Sequence, residues 1–553
     1  MPLHTSPEAA LPFFARRSVV RSTAGMVACS QPLAAAAGLR ALQEGGTAAD
    51  AVVTMAAILC VVEPMSTGIG GDAFALLWSA APNGGAPGAP RLKALNASGR
   101  AGSRASAAAL RAQNLDRVPL LGGRSITVPG AVSGWAALLE QAGGWPLARC
   151  LAPAIETAER GFPVTEVIAA GWAKLTEKLR SNPEAARVYL PGGHAPQPGE
   201  IFRNPDLATS LKVLAEGGPQ AFYQGVMAEA IAAETEKHGG FLTPADLASH
   251  QPAWETPLWA PYRGRYVVEC PPNGQGLAAL LALRICEGFD LRSMGALSQA
   301  ALHVEIEAMR LAFADAYRFV ADPAYTAVPV AELLCESYSA GRRALIQPDQ
   351  ALKRPTAGIP RGESTVYLCA VDARRNAVSF IQSLYYGFGS GVVVPGTGMA
   401  LQNRGAGFTL EPGHPNELAP GKRPFHTIIP AMLFDAPPDD PDAAGPEAVF
   451  GVMGGPMQPQ GHLQVVTGML DFDLDVQRAL ELPRFRVEEA RVLLEPLVPG
   501  TSVDALRSFG HRTEHDDTLM GGFGGGQIIR VRRDNGSLEG GSDPRKDGLA
   551  AGY

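Results

Sequence analysis

The feature that most constrains the fold is a change of pattern at about residue 364. Beyond it the chain carries a series of strand-forming runs, which are TVYLCAV, AVSFIQSL, HTIIPAMLF, AVFGVMGG and GGGQIIRVRR. These runs are apolar at successive positions, so the sheets they form must be covered on both faces. The middle of the chain, from about residue 129 to 350, instead has the helical spacing seen in ALHVEIEAMRLAFADAYRFV. Helices followed by paired strands predict a layered α+β architecture.

The N-terminal part predicts two helices and two strands. Residues 1–24 are expected to be a loose leader. SQPLAAAAGLRALQEGG is predicted to be a helix opened by Ser30, and TAADAVVTMAAILCVVEP a second helix with Thr47 as its N-cap and Pro64 at its end. STGIGGDAFALLWSA and RLKALNASG follow as strands, and DAPPDDPDAAGPE is expected to be a solvated hairpin loop.

Length and composition exclude several classes of protein. A chain of 553 residues exceeds the usual size of one core, which predicts two domains or one large multilayer domain. Its net charge of −7 and its lack of a basic block argue against nucleic acid and anionic membranes as partners. No stretch reaches the roughly 18 apolar residues of a transmembrane helix. Seven scattered cysteines without C-x-x-C spacing favour a reducing compartment, so a cytoplasmic location is expected.

The glycine and histidine motifs do not predict a cofactor or a metal. GIGGD and GGFGGGQ lack the phosphate-loop pattern and are better explained as tight turns. The histidines in GHPN, FHTIIP and PQGHLQ lack metal-ligand spacing, and no G-x-S-x-G elbow is present. Gly454 and Gly455, after the apolar run AVFGVM, can offer bare backbone N–H groups to an oxyanion, although a simple turn remains the alternative.

Thr365 opens a predicted β-hairpin in which TVYLCAV and AVSFIQSLYY flank the turn DARRN. By itself this threonine is a good strand former. Its hydroxyl is a poor nucleophile until a base activates it. Local pattern alone therefore gives Thr365 no chemical role.

Segments along nearly the whole chain resemble the γ-glutamyltranspeptidase family of N-terminal nucleophile hydrolases. They are GMVACSQPLAAAAGLRALQEGGTAADA, VEPMSTGIGGDAFALLW, TVPGAVSGW, GGFLTPADLASHQ, YRGRYVVECPPNGQG and GGSDPRKDGLAAGY. The resemblance implies a four-layer αββα sandwich, made as a precursor that cuts itself in front of a threonine. The matching bond lies between Ser364 and Thr365. It would leave a large fragment, 25–364, and a small fragment, 365–553, which pair as a heterodimer and form one αββα unit; the sequence leaves further dimerisation open.

By the same resemblance, Thr365 becomes the nucleophile once cleavage frees its amine, which then serves as its general base. The second hydroxyl that the family places beside the nucleophile matches Ser383. The two glycines that supply the oxyanion hole match Gly454 and Gly455. An acyl-enzyme would form on Thr365, and water would release the acid.

The departures from the family concern the substrate. Positions that hold an α-ammonium in γ-glutamyl enzymes match Tyr385, Arg404 and Gly407, so LQNRGAGF lacks the anion expected there. The two serines that hold the α-carboxylate match His426 and Thr427.

The carboxylate-binding arginine of the family has no clear counterpart. Ungapped matching puts Ser98 at its position, with Arg100 two residues away. A guanidinium attracts carboxylate and repels ammonium, so Arg404 predicts a pocket for an acid without an amine. The alternative for Arg404 is an ion pair elsewhere in the fold.

The function expected from these residues is a self-processing amidohydrolase for a small carboxylate-bearing amide. The pattern LQNRG, HPN, PGKRPFHTIIPA and MGGPMQPQGH is similar to the branch of the family that includes oxamate amidohydrolase. Glutathione hydrolysis or γ-glutamyl transfer is a second hypothesis, and a glutaryl-cephalosporin acylase is a third. An uncleaved scaffold that binds a small acid is the non-enzymatic alternative.

Overall fold

Two seven-stranded sheets stack face to face in this computed structural model, and helices cover the outer face of each. The described residues are 17–81, 90–353, 364–489, 491–516 and 522–553. Every strand pairing within these two sheets is antiparallel. The predicted αββα sandwich is therefore confirmed. No helix among the described residues is long and apolar enough to cross a membrane.

The first sheet contains the predicted hairpin at its centre. In spatial order its strands are β21 (Leu549–Gly552), β2 (Met26–Cys29), β10 (Ser364–Val371), β11 (Ala377–Tyr385), β3 (Asp72–Trp78), β4 (Leu92–Ala97) and β7 (Ala253–Glu255). Along β10, Val366, Leu368 and Ala370 pack against the helices. Tyr367 and Cys369 face the second sheet, so both faces of the strand are covered.

The second sheet consists of strands from both ends of the chain. In spatial order they are β1 (Val20–Ser22), β20 (Leu538–Ser542), β19 (Gly525–Val531), β15 (Ala448–Met453), β14 (Ala431–Phe434), β9 (Arg265–Glu269) and β8 (Leu258–Tyr262). Three smaller sheets lie outside the sandwich core. They pair β5 (Phe162–Pro163) with β6 (Ile201–Phe202), β12 (Val393–Val394) with β13 (Met399–Ala400), and β16 (Phe485–Glu488) with β17 (Arg491–Leu494) and β18 (Thr513–His515).

The helices fall into two groups by the sheet they accompany. Those of the first half are α1 (Pro32–Gln43), α2 (Ala48–Val62), α3 (Ala107–Arg111), α4 (Ala131–Ala142), α5 (Leu147–Arg160), α6 (Glu166–Ala173), α7 (Thr176–Arg180), α8 (Pro183–Tyr189), α9 (Pro205–Gly217), α10 (Gln220–Tyr223), α11 (Val226–Lys237) and α12 (Pro244–Ala248). Those that follow are α13 (Gly276–Cys286), α14 (Leu291–Met294), α15 (Gln299–Phe319), α16 (Val330–Leu334), α17 (Glu336–Arg343), α18 (Met457–Leu470), α19 (Val476–Glu481) and α20 (Gly500–Ser508). The predicted helical middle is confirmed.

A local sequence signal sets the N-terminal end of α2. The Thr47 hydroxyl accepts a hydrogen bond from the backbone N–H of Asp50, and the Asp50 carboxylate accepts one from the backbone of Thr47. This capping box satisfies two N–H groups that the first helical turn leaves open. Helix α1 begins later than predicted, because Gln31 is its N-cap and the Ser30 hydroxyl donates instead to Glu63 at 2.6 Å.

Two other predictions differ from the structure. Residues 20–22 of the expected loose leader form edge strand β1, paired with β20, whereas residues 1–16 lie outside the described part of the chain. HTIIPAMLF was predicted to be one strand, but only Ala431–Phe434 joins the sheet. Pro430 lacks the N–H that a strand ladder needs, and the segment before it bonds to other parts of the protein.

The sheets approach closely at Gly451 on β15. A Cβ added there would lie 2.4 Å from the Tyr367 ring on β10, which leaves no room for a side chain. Gly451→Ala should therefore destabilise the protein by about 1–3 kcal/mol, because the ring must shift. A thermal melt measures this loss.

Gly468→Ala provides the matched control within α18. Its added Cβ would make an ordinary contact at 3.5 Å with Ala479, and alanine favours a helix by up to about 1 kcal/mol over glycine. Equal melting temperatures for the two variants would contradict the close approach of the sheets.

Candidate active site

Thr365 lies at an irregular point of the hairpin. Ser364 pairs with Tyr385 and Val366 with Gln382, so the register shifts beside Thr365. Bulges of this kind redirect side chains next to active sites. Here the Thr365 Oγ1 atom lies 3.3 Å from the Oγ atom of Ser383, and both residues are buried. The structure thus brings together the two hydroxyls that the family resemblance pairs.

Arg404 joins this pair of hydroxyls. It begins a short 3-10 turn, Arg404–Gly407, and its side chain is fully buried. One terminal nitrogen donates to the Thr427 hydroxyl at 2.8 Å, and the other donates to the Ser383 hydroxyl at 3.2 Å. The guanidinium carbon lies 4.1 Å from the centre of the Tyr385 ring, which is a cation–π contact. Five predicted site residues therefore form one contiguous group.

The Arg404 guanidinium forms no ion pair with a carboxylate of the described residues. Its Nε atom is buried and has no hydrogen-bond partner in that part of the chain. Burial lowers the pKa of Arg404 to about 10, although Tyr385 and Asp72 oppose this effect, so the group stays charged at neutral pH. The alternative prediction of an ion pair elsewhere does not fit these contacts.

Asp72 is a buried carboxylate that the sequence interpretation placed in a tight turn. It begins β3, where it pairs with Ser383. Its Oδ1 atom accepts hydrogen bonds from Gly99 N at 3.0 Å, Gly130 N at 3.2 Å and Gln402 Nε2 at 2.9 Å, and its Oδ2 atom lies 3.1 Å from His426 Nε2. Three of these donors crowd Oδ1 and His426 engages Oδ2, so Asp72 acts as a support of the site.

His426 is fixed in one tautomer by its neighbours. Its Nδ1 atom accepts the backbone N–H of Ile428 at 3.3 Å, so Nε2 carries the hydrogen and donates to Asp72. Burial, followed by the charges of Arg404 and Arg423, holds the pKa of His426 well below its usual value, and the ring is neutral. Both ring nitrogens are therefore engaged inside the protein, and the ring supports the site through Asp72.

Gly454 and Gly455 connect β15 to α18 with φ angles of +122° and +58°. Their carbonyls turn toward the start of α18, where they accept the N–H groups of Met457 and Gln458. Neither glycine N–H donates to another described residue. Positive φ favours glycine at both positions, and the turn leaves two N–H groups available to an oxyanion.

Two predicted substrate-binding residues lie outside this group of contacts. Arg100 donates to Asp322 at 3.2 Å and to the carbonyl of Gly421 at 3.0 Å. Gly407 has a packing role, since an added Cβ would lie 2.6 Å from the carbonyl oxygen of Phe425. A side chain at this position would therefore collide with the backbone, which explains why glycine occupies it.

A cluster of potential metal ligands lies apart from these residues. His303, Glu307 and His511 are buried, with one ligand-type atom each within 4.8 Å of the others. His303 and His511 are hydrogen-bonded to each other at 2.8 Å, and Arg310 forms an ion pair with Glu307 at 2.6 Å. These polar atoms satisfy one another, so the cluster is explained as a buried network.

Comparisons with known proteins agree with this geometry. A family model described as γ-glutamyltranspeptidase matches residues 34–553. The glutathione hydrolase-like YwrD proenzyme of Bacillus subtilis is 37% identical over 97% of this chain and 99% of its own. The oxamate amidohydrolase proenzyme of Klebsiella pneumoniae is 37% identical over 96% of this chain and 99% of its own. The crystal structure of a cephalosporin acylase from Bacillus halodurans superposes with a TM-score of 0.89, at 43% identity over 100% of this chain and 99% of that one.

The αββα sandwich with a threonine at the head of a central strand defines an N-terminal nucleophile hydrolase. Within that class, the chain belongs to the γ-glutamyltranspeptidase family and is an amidohydrolase of that type.

The buried Asp72 carboxylate makes stability depend on pH. Burial raises its pKa from 3.8 to about 6, against the opposing effects of Arg404 and the hydrogen bonds. Since the folded-state pKa lies above the unfolded value, the stability it contributes is present below about pH 4 and lost as the pH rises through about 6. Asp72→Asn removes this titration.

The expected result is that the stability of Asp72→Asn relative to wild type improves by about 1–3 kcal/mol between pH 4 and pH 7. Urea unfolding of both proteins at the two pH values measures this change. A constant difference across the range would show that Asp72 titrates as it does in the unfolded chain.

Proposed function

We propose that this protein is a self-processing N-terminal-threonine amidohydrolase that hydrolyses the amide of a small acid lacking an α-amine, such as oxamate. The observation that carries the proposal is the buried Arg404 guanidinium, which touches Ser383 and has an Nε–H group without a partner among the described residues. A cation in this position suits a substrate carboxylate and opposes an ammonium group.

Cleavage between Ser364 and Thr365 is the first step proposed. In the unbroken chain the Thr365 nitrogen belongs to a peptide bond and cannot act as a base. Once freed, the amine takes the hydroxyl proton as Oγ1 attacks the amide carbonyl, and ammonia leaves with a proton. Water then hydrolyses the threonine ester and releases the acid. The N–H groups of Gly454 and Gly455 are proposed to hold the oxyanion in both steps.

Substrate recognition is proposed to rest on Arg404 and the Thr427 hydroxyl. Arg404 keeps its charge at neutral pH and holds it beside the two hydroxyls. A γ-glutamyl substrate would bring an ammonium group, and the nearby carboxylate of Asp72 is already occupied by four donors. These contacts disfavour the γ-glutamyl hypothesis. A glutaryl amide, which also lacks the amine, remains a second candidate because of the likeness to a cephalosporin acylase.

Processing is tested with Thr365→Ala. Wild-type protein should give a fragment of residues 365–553 that begins Thr-Val-Tyr, whereas the variant should stay as one chain because it lacks the attacking hydroxyl. Denaturing gels with N-terminal sequencing measure this. Thr365→Ser, which keeps a hydroxyl, should still be cut. A fully active unbroken wild-type chain would overturn the proposal, whereas an unbroken wild-type chain without activity would support the scaffold alternative.

Substrate choice is tested with Arg404→Gln. Removing the cation should lower kcat/KM for amino-free acidic amides by about 10- to 150-fold, the usual loss for a charge-assisted hydrogen bond. Ammonia release from oxamate and from a glutaryl amide gives the rates.

Arg100→Gln is the matched control for Arg404→Gln. Arg100 has a partly exposed ion pair with Asp322 and should affect the rates by less than about fivefold. Unchanged kinetics in a folded, processed Arg404→Gln variant would exclude the proposed carboxylate site.

A further inference from the structure

Gln275 connects two parts of the candidate site that lie far apart in the sequence. It precedes α13 and is fully buried. Its backbone N–H donates to the carbonyl of His426 at 2.9 Å. Its side-chain Nε2 atom donates to the carbonyl of Thr427 at 2.6 Å and to the carbonyl of Gly455 at 2.9 Å. One amide group therefore bridges the segment at residue 427 and the turn at residue 455.

The two ends of this bridge have different proposed tasks. Thr427 places its hydroxyl against Arg404, in the proposed carboxylate site. Gly455 belongs to the turn whose N–H groups have no acceptor in the described part of the chain. Gln275 thus links the proposed carboxylate site to the turn proposed as the oxyanion site.

Gln458 adds a second connection between the same two segments. Its side-chain oxygen accepts the N–H of Ile429 at 2.9 Å, and its backbone N–H donates to the Gly455 carbonyl at 3.1 Å. The spacing is therefore held by two buried glutamines. Gln275 is the one whose single NH₂ group contacts both segments.

We propose that Gln275 is a positioning residue that fixes the distance between the carboxylate site and the oxyanion site, and so selects the length of the acyl chain. This inference rests on the proposed function. Each added methylene inserts a carbon–carbon bond of about 1.5 Å between the substrate's two ends. A misplacement of about 1 Å can cost about 100-fold in rate, so a rigid span discriminates between neighbouring lengths.

The test compares Gln275→Met with wild type on oxamate, malonamate, succinamate and glutaramate. Methionine has a similar length but no N–H to donate, so the bridge is lost. Wild type should show one preferred length, with kcat/KM lower by about 10- to 100-fold for its neighbours. In the variant, the ratio of kcat/KM for the preferred acid to kcat/KM for its neighbours should shrink by at least about fivefold. Most of this change should come from a lower kcat for the preferred acid.

Gln460→Met is the matched control. Gln460 is also buried, and its Nε2 atom bridges the carbonyl of Pro456, the N-cap of α18, and the carbonyl of Val487 on β16. Its loss should reduce stability without changing the length preference. If Gln275→Met lowers the rates for all four acids by one common factor and keeps the length preference, as Gln460→Met is expected to keep it, Gln275 has only a structural role and the inference is overturned.

A second variant and a second pair of substrates keep the inference testable apart from the proposed function. Gln275→Asn keeps the donors but cannot reach both carbonyls, so it should broaden the preference in the same way and replaces Gln275→Met if that variant does not fold. If wild type ignores the four acids and hydrolyses γ-glutamyl amides, the proposed function fails. The inference is then tested with β-aspartyl and γ-glutamyl amides, which differ by one methylene. If the ratio of their kcat/KM values lies closer to one in the variant than in wild type, the inference is supported. If the ratio is unchanged, the inference is overturned.

Discussion

The burial of the Arg404 guanidinium is the constraint on which the rest of the site depends. Removing such an ion from water costs several kcal/mol, which neighbouring groups must offset. Hydroxyls of Ser383 and Thr427, the face of the Tyr385 ring and the charge of Asp72 supply this compensation. One buried N–H still has no partner among the described residues. A substrate carboxylate would complete the coordination of this cation, which is why its chemistry governs the proposed specificity.

Rigid central strands hold these groups in place. Thr365 and Ser383 lie on β10 and β11, and Asp72 lies opposite Ser383 on the next strand, β3. All three strands are interior to the first sheet, with one face on the helices and the other on the second sheet. Catalytic groups on such strands are positioned more accurately than groups on loops. The proposed cut before Thr365 would therefore expose an amine at a site that is already assembled.

The sequence predicted the structural features that depend on neighbouring residues and missed those that depend on residues far away in the chain. The cap of α2 at Thr47 and the hairpin after Ser364 follow from local pattern, and both are present. The single strand expected in HTIIPAMLF is interrupted, because tertiary hydrogen bonds engage the residues before Pro430. The sequence placed Asp72 only in a tight turn, because its partners Gln402 and His426 lie 330 and 354 positions away along the chain. The family resemblance predicted roles for Thr365, Ser383 and Arg404, but it gave no indication of Gln275.

The most direct test of the account is a competition between two amides that differ only in an α-amine. Processed wild-type protein receives equal amounts of a glutaryl amide and the corresponding γ-glutamyl amide, and NMR follows the release of each acid. The account predicts that the glutaryl amide is consumed first, because Arg404 attracts the carboxylate and repels the ammonium group. Faster consumption of the γ-glutamyl amide would contradict it.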